Sequence, residues 1–437
     1  MRPLKILLCT YGTRGDVEPF VALARGLQSA GCVVLLATSE RFEPFVRSHD
    51  VPFFALSDAS LAAIESDDGR AMLEGNSGLL KRITAGIRLA RRSGSINAEL
   101  MAEVWGAAQS FAPDSIVYHS KLFAAPHIAE KLGIPAFLGT LQPMIVPTKA
   151  FPAMGIAPLG LPGFNRLSYR LIYASFGLLR KSVNRFRKDM LNLRPIKTSR
   201  AVLFPPGAGE IPVLHAHGSA LMSRPADWPD HAHITGYWRL PMPDDFVPPK
   251  ELATFLEKGP APVFVGFGSM PSMDSRALGR LVAEALREAG QRGVVSKGWA
   301  ELEVDESDDV IAISPVPFRW LFPQMAAVVH HGGAGTTAEG LQAGAPTLIC
   351  PFMGDQPGWA RLCVDLGVAV PPIKRSQLTQ QNLTKAICEL TSNPTLRANA
   401  GLLATQLTEE DGVANAIDII LGQSDYVGQR AAHPDRC

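Results

Sequence analysis

Short apolar runs alternate with amphipathic stretches in both halves of this 437-residue chain, and that alternation limits its fold more than any other feature. Lys5–Thr10 reads as a strand and Val17–Ala30 as a helix carrying Phe20, Val21, Leu23, Ala24 and Leu27 on its apolar positions. Gly31 ends that helix, Val33–Thr38 reads as a second strand, and Glu40–His49 as a second helix. Strand, helix and strand at this spacing make a parallel sheet with crossover helices. Ser115–His119 and Ala136–Thr140 continue the series. Residues 141–200 break it, with frequent Pro and Gly and then one long amphipathic stretch, Arg166–Lys188. Pro241, Pro243, Pro248, Pro249, Pro260 and Pro262 mark a linker. The alternation then restarts with strand Val263–Gly268, helix Ser275–Ala289, strands Gly293–Ser296, Val310–Ser314 and Val328–His331, helix Thr336–Ala343 and strand Thr347–Pro351.

The expected fold class is α/β, with two Rossmann-like parallel-sheet domains facing a central cleft. Residues 1–240 form the first domain, 241–262 the linker and 263–410 the second domain. Residues 411–437 form a C-terminal helix and tail, the helix packing back on the first domain. A chain of 437 residues exceeds one ordinary hydrophobic core, which agrees with two domains. Ligands in such sheets sit at the carboxyl ends of strands, so both halves can line one site.

Composition removes several classes of partner and location. Lys and Arg total 42 against 41 Asp and Glu, so no global field draws the chain to nucleic acid. The apolar run Leu4–Thr10 passes at once into Tyr11-Gly12-Thr13-Arg14-Gly15-Asp16, unlike a secretory leader. No apolar run reaches the roughly 18 residues of a membrane span. Cys9, Cys32, Cys350, Cys363, Cys388 and Cys437 are scattered, without a C-x-x-C pair, as expected of free thiols in a reducing compartment. The expected location is cytoplasmic, with peripheral contact at the inner face of the membrane as an extension argued below.

His330-His331-Gly332-Gly333-Ala334-Gly335-Thr336-Thr337-Ala338-Glu339-Gly340 falls at a strand-to-helix junction. Glycines there let a ligand approach the backbone, and the helix start offers unpaired N–H groups at the positive end of its dipole. A diphosphate suits that arrangement. Thr336 and Thr337 can cap the helix or bond phosphate oxygens, and His331 can donate to a leaving diphosphate as its charge develops. A plain glycine-rich turn with a Thr cap would look similar, but two adjacent histidines entering it favour the phosphate reading. No G-x-x-x-x-G-K-[ST] is present, and Gly12-x-x-Gly15 is not G-x-G-x-x-G.

The segment PVPFRWLFPQMAAVVHHGGAGTTAEGLQAGAPTLICPFMGDQPGWA resembles the donor-binding signature of family 1 glycosyltransferases. GTRGDVEPFVALARGL is similar to the companion motif of the family 28 type N-terminal domain. HHGGAGTT with GDQPGWA, RPADWPDHAHITGYW and PVFVGFGSM resembles the sterol glucosyltransferase-like subgroup, and antibiotic glycosyltransferases share much of this. The resemblance implies a GT-B fold and an inverting transfer of a hexose, glucose from UDP-glucose, to a hydroxyl of a lipophilic acceptor such as a sterol. It implies that His331, Gly333, Gly335 and Thr336 hold the diphosphate, together with Gly12 and Thr13 from the first domain. Glu339 would take the ribose hydroxyls, Asp355 and Gln356 the sugar hydroxyls, and Val316 would lie beside uracil. Gly268 and Ser269 would close over the phosphates, and either Phe318 or Trp320 would stack on the base. A TDP- or UDP-deoxysugar used on a secondary metabolite is the alternative transfer. A nucleotide-sugar epimerase, a phosphorylase and a catalytically silent sugar-nucleotide-binding module also stay open.

An Asp–Gln pair just past a strand end independently offers acceptors and donors matched to vicinal hydroxyls. No D-x-D motif occurs, and the acidic run Asp305-Glu306-Ser307-Asp308-Asp309 reads as a solvated loop. No metal and no cofactor beyond the sugar nucleotide is expected. The acceptor hydroxyl must lose a proton as it attacks, which requires a base within hydrogen-bond reach. Asp16, after the first strand, is the leading candidate, although it could instead cap the helix beginning near Val17. His119, ending another strand, is the second candidate, an orienter or proton relay for Asp16.

Arg166–Lys188 carries Leu167, Leu171, Ile172, Phe176, Leu178, Leu179, Val183 and Phe186 among seven Arg and Lys and no acid. Lys81–Arg92 (KRITAGIRLARR) repeats the theme. Such basic amphipathic helices lie on anionic membranes or line an acceptor pocket, and both readings point to a lipophilic acceptor.

Overall fold

The computed structural model describes residues 2–65, 79–243, 246–267, 275–297 and 302–432, without the side chains of 64–93 and 423–432. Among these residues the strands form two parallel sheets. The first contains β1 (Lys5–Cys9), β2 (Val33–Ser39), β3 (Phe53–Leu56), β4 (Ser115–His119), β5 (Ala136–Thr140), β6 (Val213–His215) and β7 (Ala232–Ile234). Its order is β3-β2-β1-β4-β5-β6-β7. The second contains β8 (Val263–Gly266), β9 (Gly293–Ser296), β10 (Val310–Ile313), β11 (Ala327–His330) and β12 (Thr347–Ile349), in the order β10-β9-β8-β11-β12. Central strands such as Ile6–Cys9 and Ala327–His330 are buried throughout, as covering helices on both faces of a parallel sheet require.

In each sheet the order reverses beside its first strand, between β1 and β4 and between β8 and β11. Those reversals open crevices at the carboxyl ends of the strands, where ligands bind in such folds. The loops after β1, β4 and β11 hold Gly12–Thr13, Lys121 and His331 respectively.

Contacts join the two halves. Met154 and Leu221 share a buried cluster with Leu341, Ile349, Trp359, Ala360 and Leu403. Gly155, at φ +92°, lies so close that an added Cβ would be 2.9 Å from the Gly354 carbonyl oxygen. The last helix, Gly412–Ala432, crosses back to the first sheet, where Ala416 and Ile420 enter its core. Gly26 makes room for it, since a Cβ there would be 2.4 Å from Val413 Cγ1.

Several elements differ from the sequence expectation for local reasons. The first helix spans Arg14–Ser29 rather than starting at Val17, because Thr13 is its N-cap and Asp16 closes a capping box. The second helix is shorter than Glu40–His49: a 3₁₀ turn at Glu40–Phe42 leads into Glu43–Arg47. The Arg166–Lys188 stretch is two helices, Phe164–Phe176 and Arg180–Asp189, parted by a 3₁₀ turn at Gly177–Leu179. The Pro-rich segment holds a helix, Lys250–Glu257, whose Leu252 and Phe255 pack with Phe264, Leu321 and Phe322. Pro249 stands at that helix's N-cap, so the prolines punctuate a helix within the segment between the two sheets.

Arg187 illustrates why basic composition alone misleads. It is buried, chelates Glu130 through contacts of 2.5 and 3.0 Å, and reaches His127 Nδ1 at 2.8 Å. Removing one partner of such a buried pair strands the other charge, at a cost of about 3–5 kcal/mol. Arg187 therefore fixes the Arg180–Asp189 helix and is no part of its basic surface.

Candidate active site

Asp16 sits in the first turn of helix Arg14–Ser29 and is 7 % exposed. Its two carboxylate oxygens have separate partners. Oδ2 accepts from the Thr13 amide at 2.7 Å and the Thr13 hydroxyl at 3.1 Å. Oδ1 accepts from Lys121 Nζ at 2.8 Å, and His119 Nε2 stands 3.9 Å from the same oxygen. Burial pushes the Asp16 carboxyl up, but Lys121, His119 and the Thr13 amide outweigh it and hold the pKa below its ordinary 3.8. Gly12 makes the cluster possible. At φ +142° its added Cβ would be 2.2 Å from Asp16 Oδ2 and 2.7 Å from Lys121 Nζ.

His119 is buried, and neither ring nitrogen has a hydrogen-bond partner. Burial and Lys121 lower its pKa to about 4, against a smaller pull from Asp16, so the ring is neutral at pH 7. At 3.9 Å it does not orient Asp16 by a direct hydrogen bond; Thr13 and Lys121 do that.

The second half contributes the end of β11. His330 is structural: Nδ1 accepts from the Gly332 amide at 3.0 Å and Nε2 meets Thr347 Oγ1 at 3.0 Å. Gly332, at φ +92°, turns the chain, with Ile349 Cγ2 2.6 Å from where a Cβ would be. The His331 ring then lies over Gly333, whose added Cβ would be 2.7 Å from Nε2. Burial lowers the His331 pKa to about 4, and Nδ1 is buried without a partner. Helix Ala334–Gln342 begins at an extended Gly333 N-cap with no side-chain cap. Neither threonine caps it: Thr337 donates its hydroxyl to the Gly333 carbonyl at 2.9 Å, and Thr336 makes no cap bond. The first-turn amides thus remain for an anion. Gly335 faces the start of the other helix, its added Cβ 4.0 Å from Gly15 Cα.

Glu339 lies on the same helix, its carboxyl raised by burial against the pull of Arg239 and Arg319. Arg239 Nε approaches it from the first half at 4.0 Å and is otherwise without a partner. Asp355 is the N-cap residue of helix Gln356–Asp365; its Oδ2 accepts from Trp359 Nε1 at 2.7 Å. Burial raises the Asp355 carboxyl, while Trp359 and Gln142 pull it down and Asp16 adds to the rise. Gln356 Oε1 is committed to the amides of Phe352 and Met353 at 2.6 and 3.1 Å, which leaves its NH₂ group for a ligand. Val316 packs half-buried beside Phe264 and Phe318. Phe318 is stacked on Phe322 at 4.4 Å, and Trp320 tilts against Phe246 at 5.6 Å. Gly268 and Ser269 lie outside the described residues.

A narrow crevice is lined by Leu100, Met101, Val104, Lys121, Leu122, Phe123 and Ala124. Sequence reasoning missed Lys121, Gln142 and Arg239. Lys121 follows the end of an expected strand by two residues, and that position is the signal that pointed to it. Among the described residues no group of three His, Cys, Asp or Glu is placed to hold a metal ion. The described cysteines are free thiols.

Two Rossmann-like sheets whose reversal points share one cleft define the GT-B class of glycosyltransferase fold. Solved structures agree: the glycotransferase of kitacinnamycin superposes with a TM-score of 0.68 at 18% identity, over 97% of this chain and 100% of that one. VinC in complex with dTDP gives 0.66 at 18% identity, over 98% and 100%. Residues 6–151 match the glycosyltransferase family 28 N-terminal domain, and residues 301–416 the erythromycin biosynthesis protein CIII-like C-terminal domain. Two sterol 3-beta-glucosyltransferases of Arabidopsis thaliana, UGT80A2 and UGT80B1, are each 34% identical over 95% of this chain. That of Emericella nidulans is 34% identical over 97%. The chain belongs to the family of glycosyltransferases that contains these sterol 3-beta-glucosyltransferases. It spans 65% and 67% of the length of the two plant relatives and 30% of the fungal one.

Proposed function

We propose that this protein is an inverting glycosyltransferase that moves glucose from UDP-glucose to the hydroxyl of a lipophilic acceptor, a sterol being the leading class. The observation that carries the reading is the meeting of two unlike groups across one cleft. A buried carboxylate, Asp16, lies on one side, and an uncapped helix start under His331 lies on the other. The acceptor hydroxyl gives its proton to Asp16 Oδ1 as its oxygen attacks the anomeric carbon. The bond from that carbon to the diphosphate breaks on the opposite face, and its electron pair leaves with UDP. The amides of residues 334–336 and a His331 N–H receive the growing charge, which is the work a metal does in other transferases. Glu339 would hold the ribose and Asp355 with the Gln356 amide the sugar hydroxyls.

The test measures nucleotide release from UDP-glucose and from TDP-sugars, with and without a sterol, and product mass by mass spectrometry. TDP-sugars belong in the panel because VinC is similar in fold and its structure holds dTDP. The expected result is UDP release that depends on sterol, with one hexose added to it, unchanged by EDTA. Isomerised donor without acceptor would overturn transfer in favour of an epimerase, and no nucleotide release with any pair would favour a silent binding module.

The same reading extends to a membrane surface. No helix among the described residues is long and apolar enough to cross a membrane. Leu159, Leu161, Leu167, Leu171 and Leu178 are nevertheless 47–85 % exposed. Arg170, Lys181, Arg185 and Lys188 are exposed on helices Phe164–Phe176 and Arg180–Asp189, of which the first also carries Leu167 and Leu171. The side chains of Lys81–Arg92 lie outside the described residues. Apolar side chains among cations suit the headgroup region of an anionic bilayer. The protein is expected to pellet with anionic vesicles at low salt, and less as salt screens the attraction. Absence of binding at every salt concentration would end this extension.

A further inference from the structure

We propose that Lys121 is a positioning residue of the transfer reaction, holding the buried Asp16 as a carboxylate while leaving Oδ1 open to the acceptor hydroxyl. The inference rests on the reading of Asp16 as the base. Geometry carries it. A carboxylate has about four acceptor positions. Thr13 takes two on Oδ2 and Lys121 takes one on Oδ1, so one position on Oδ1 stays unfilled. Lys121 belongs to the loop after β4 and meets Asp16 across 105 residues of sequence, so neither the helix nor its cap demands it. The side chain is 49% exposed, so its charge stays hydrated and costs little to maintain. Gly12, with no room for a Cβ against either group, keeps the backbone clear of the pair.

Lys121 also decides which of two neighbouring groups carries a proton. Three groups bear on Asp16, Thr13 at its helix start and His119 and Lys121 from β4 and its loop, and Asp16 in turn raises the Asp355 carboxyl of the other half. Burial favours a protonated Asp16, while Lys121, His119 and the Thr13 amide oppose it. Lys121 lowers His119 as well, keeping that ring neutral. Without Lys121 the carboxyl rises and His119 becomes easier to protonate. A proton held on Asp16 then blocks the base.

The experiment compares kcat/KM against pH for wild type, Lys121→Met, Lys121→Gln and Lys121→Arg, with Asp16→Asn as control and UDP affinity measured by calorimetry. Wild type is expected to stay flat from pH 7.5 down to about 5.5, because Asp16 titrates below 3.8. In Lys121→Met and Lys121→Gln the acid limb is expected to move up by at least about one pH unit, the size of a lost neighbouring charge. At a pH below both limbs those variants then keep about tenfold less of their own pH 7.5 rate than wild type keeps of its own. Lys121→Arg restores the wild-type profile, and UDP affinity stays within about twofold in all. A structural lysine would lower activity without moving the limb, and an unmoved limb in both neutral variants that still bind UDP overturns the inference. If Asp16→Asn turns over normally, the base reading itself falls; an inactive Asp16→Asn beside an unmoved limb refutes Lys121 alone.

Discussion

Replacing Asp16 by Asn is expected to lower kcat/KM for transfer by about 10²–10⁴-fold, the usual contribution of a positioned general base. UDP affinity should stay within a few-fold, because most of the donor's expected contacts come from the other half of the cleft and the Asn oxygen can keep the Thr13 amide in place. The substitution is nearly isosteric, and the amide oxygen can still accept from the Thr13 amide where Oδ2 does now. What it removes is a negative charge beside Lys121 and an atom able to take a proton. Stability and activity can be told apart by pH. The folded pKa of Asp16 lies below its ordinary 3.8, so the carboxylate contributes stability above that value and loses it as pH falls through the folded pKa. The melting-temperature gap between Asp16→Asn and wild type should therefore narrow only in strong acid. The activity gap should persist across pH 5 to 8, where Asp16 is ionised. Near-normal turnover by Asp16→Asn would transfer the base role elsewhere.

Sequence reasoning set two roles for Asp16 against each other, a helix cap or a base. In the structure Oδ2 serves the cap, while Oδ1 faces Lys121 and His119. A one-dimensional pattern carries no information about which oxygen points where. Parallel strands were legible because both their faces are buried, so Lys5–Cys9, Ser115–His119 and Ala136–Thr140 read as continuous apolar runs. Helix limits were less so. Gly177 interrupts an amphipathic pattern that continues on both sides, and a Cβ there would meet Ser199 Oγ at 2.6 Å, a tertiary reason. The glycine-rich turn after β11 was legible because its residues are contiguous. Arg239 opposite Glu339 and Lys121 opposite Asp16 were not, since each pair forms only when separate strand ends are brought to one cleft. Gln356 was expected as a sugar ligand, yet its oxygen already holds the Phe352 and Met353 amides. Its remaining NH₂ can donate to a hydroxyl but cannot accept from one.

His331→Ala is expected to lower kcat by about 10²–10³-fold, the loss typical of one donor aimed at developing charge. UDP binding should weaken less, by about tenfold, the low end of the roughly 1.5–3 kcal/mol that a hydrogen bond to a charged group is worth. The difference follows from where the charge grows. In the bound donor the diphosphate charge is spread and met by the first-turn amides of helix Ala334–Gln342, while in the transition state it concentrates on the oxygen leaving the sugar. His331 lies over the Gly333 N-cap, and its buried Nδ1 has no partner within the chain. The pKa of about 4 makes the ring neutral throughout the working range, so in the proposed reaction it would stabilise the leaving group by donating an N–H and not as an imidazolium. Two consequences separate these mechanisms. The His331→Ala defect should be constant from pH 5 to 8, whereas an imidazolium role would make wild type lose its advantage as pH rises. His331→Gln, which keeps an N–H donor without a titrating group, should recover part of the rate. Gly333→Ala should mimic His331→Ala, because its Cβ would be 2.7 Å from Nε2 and would force the ring away. If His331→Ala keeps kcat within threefold of wild type, the helix amides alone carry the leaving diphosphate, and the adjacent histidines serve only to build the turn.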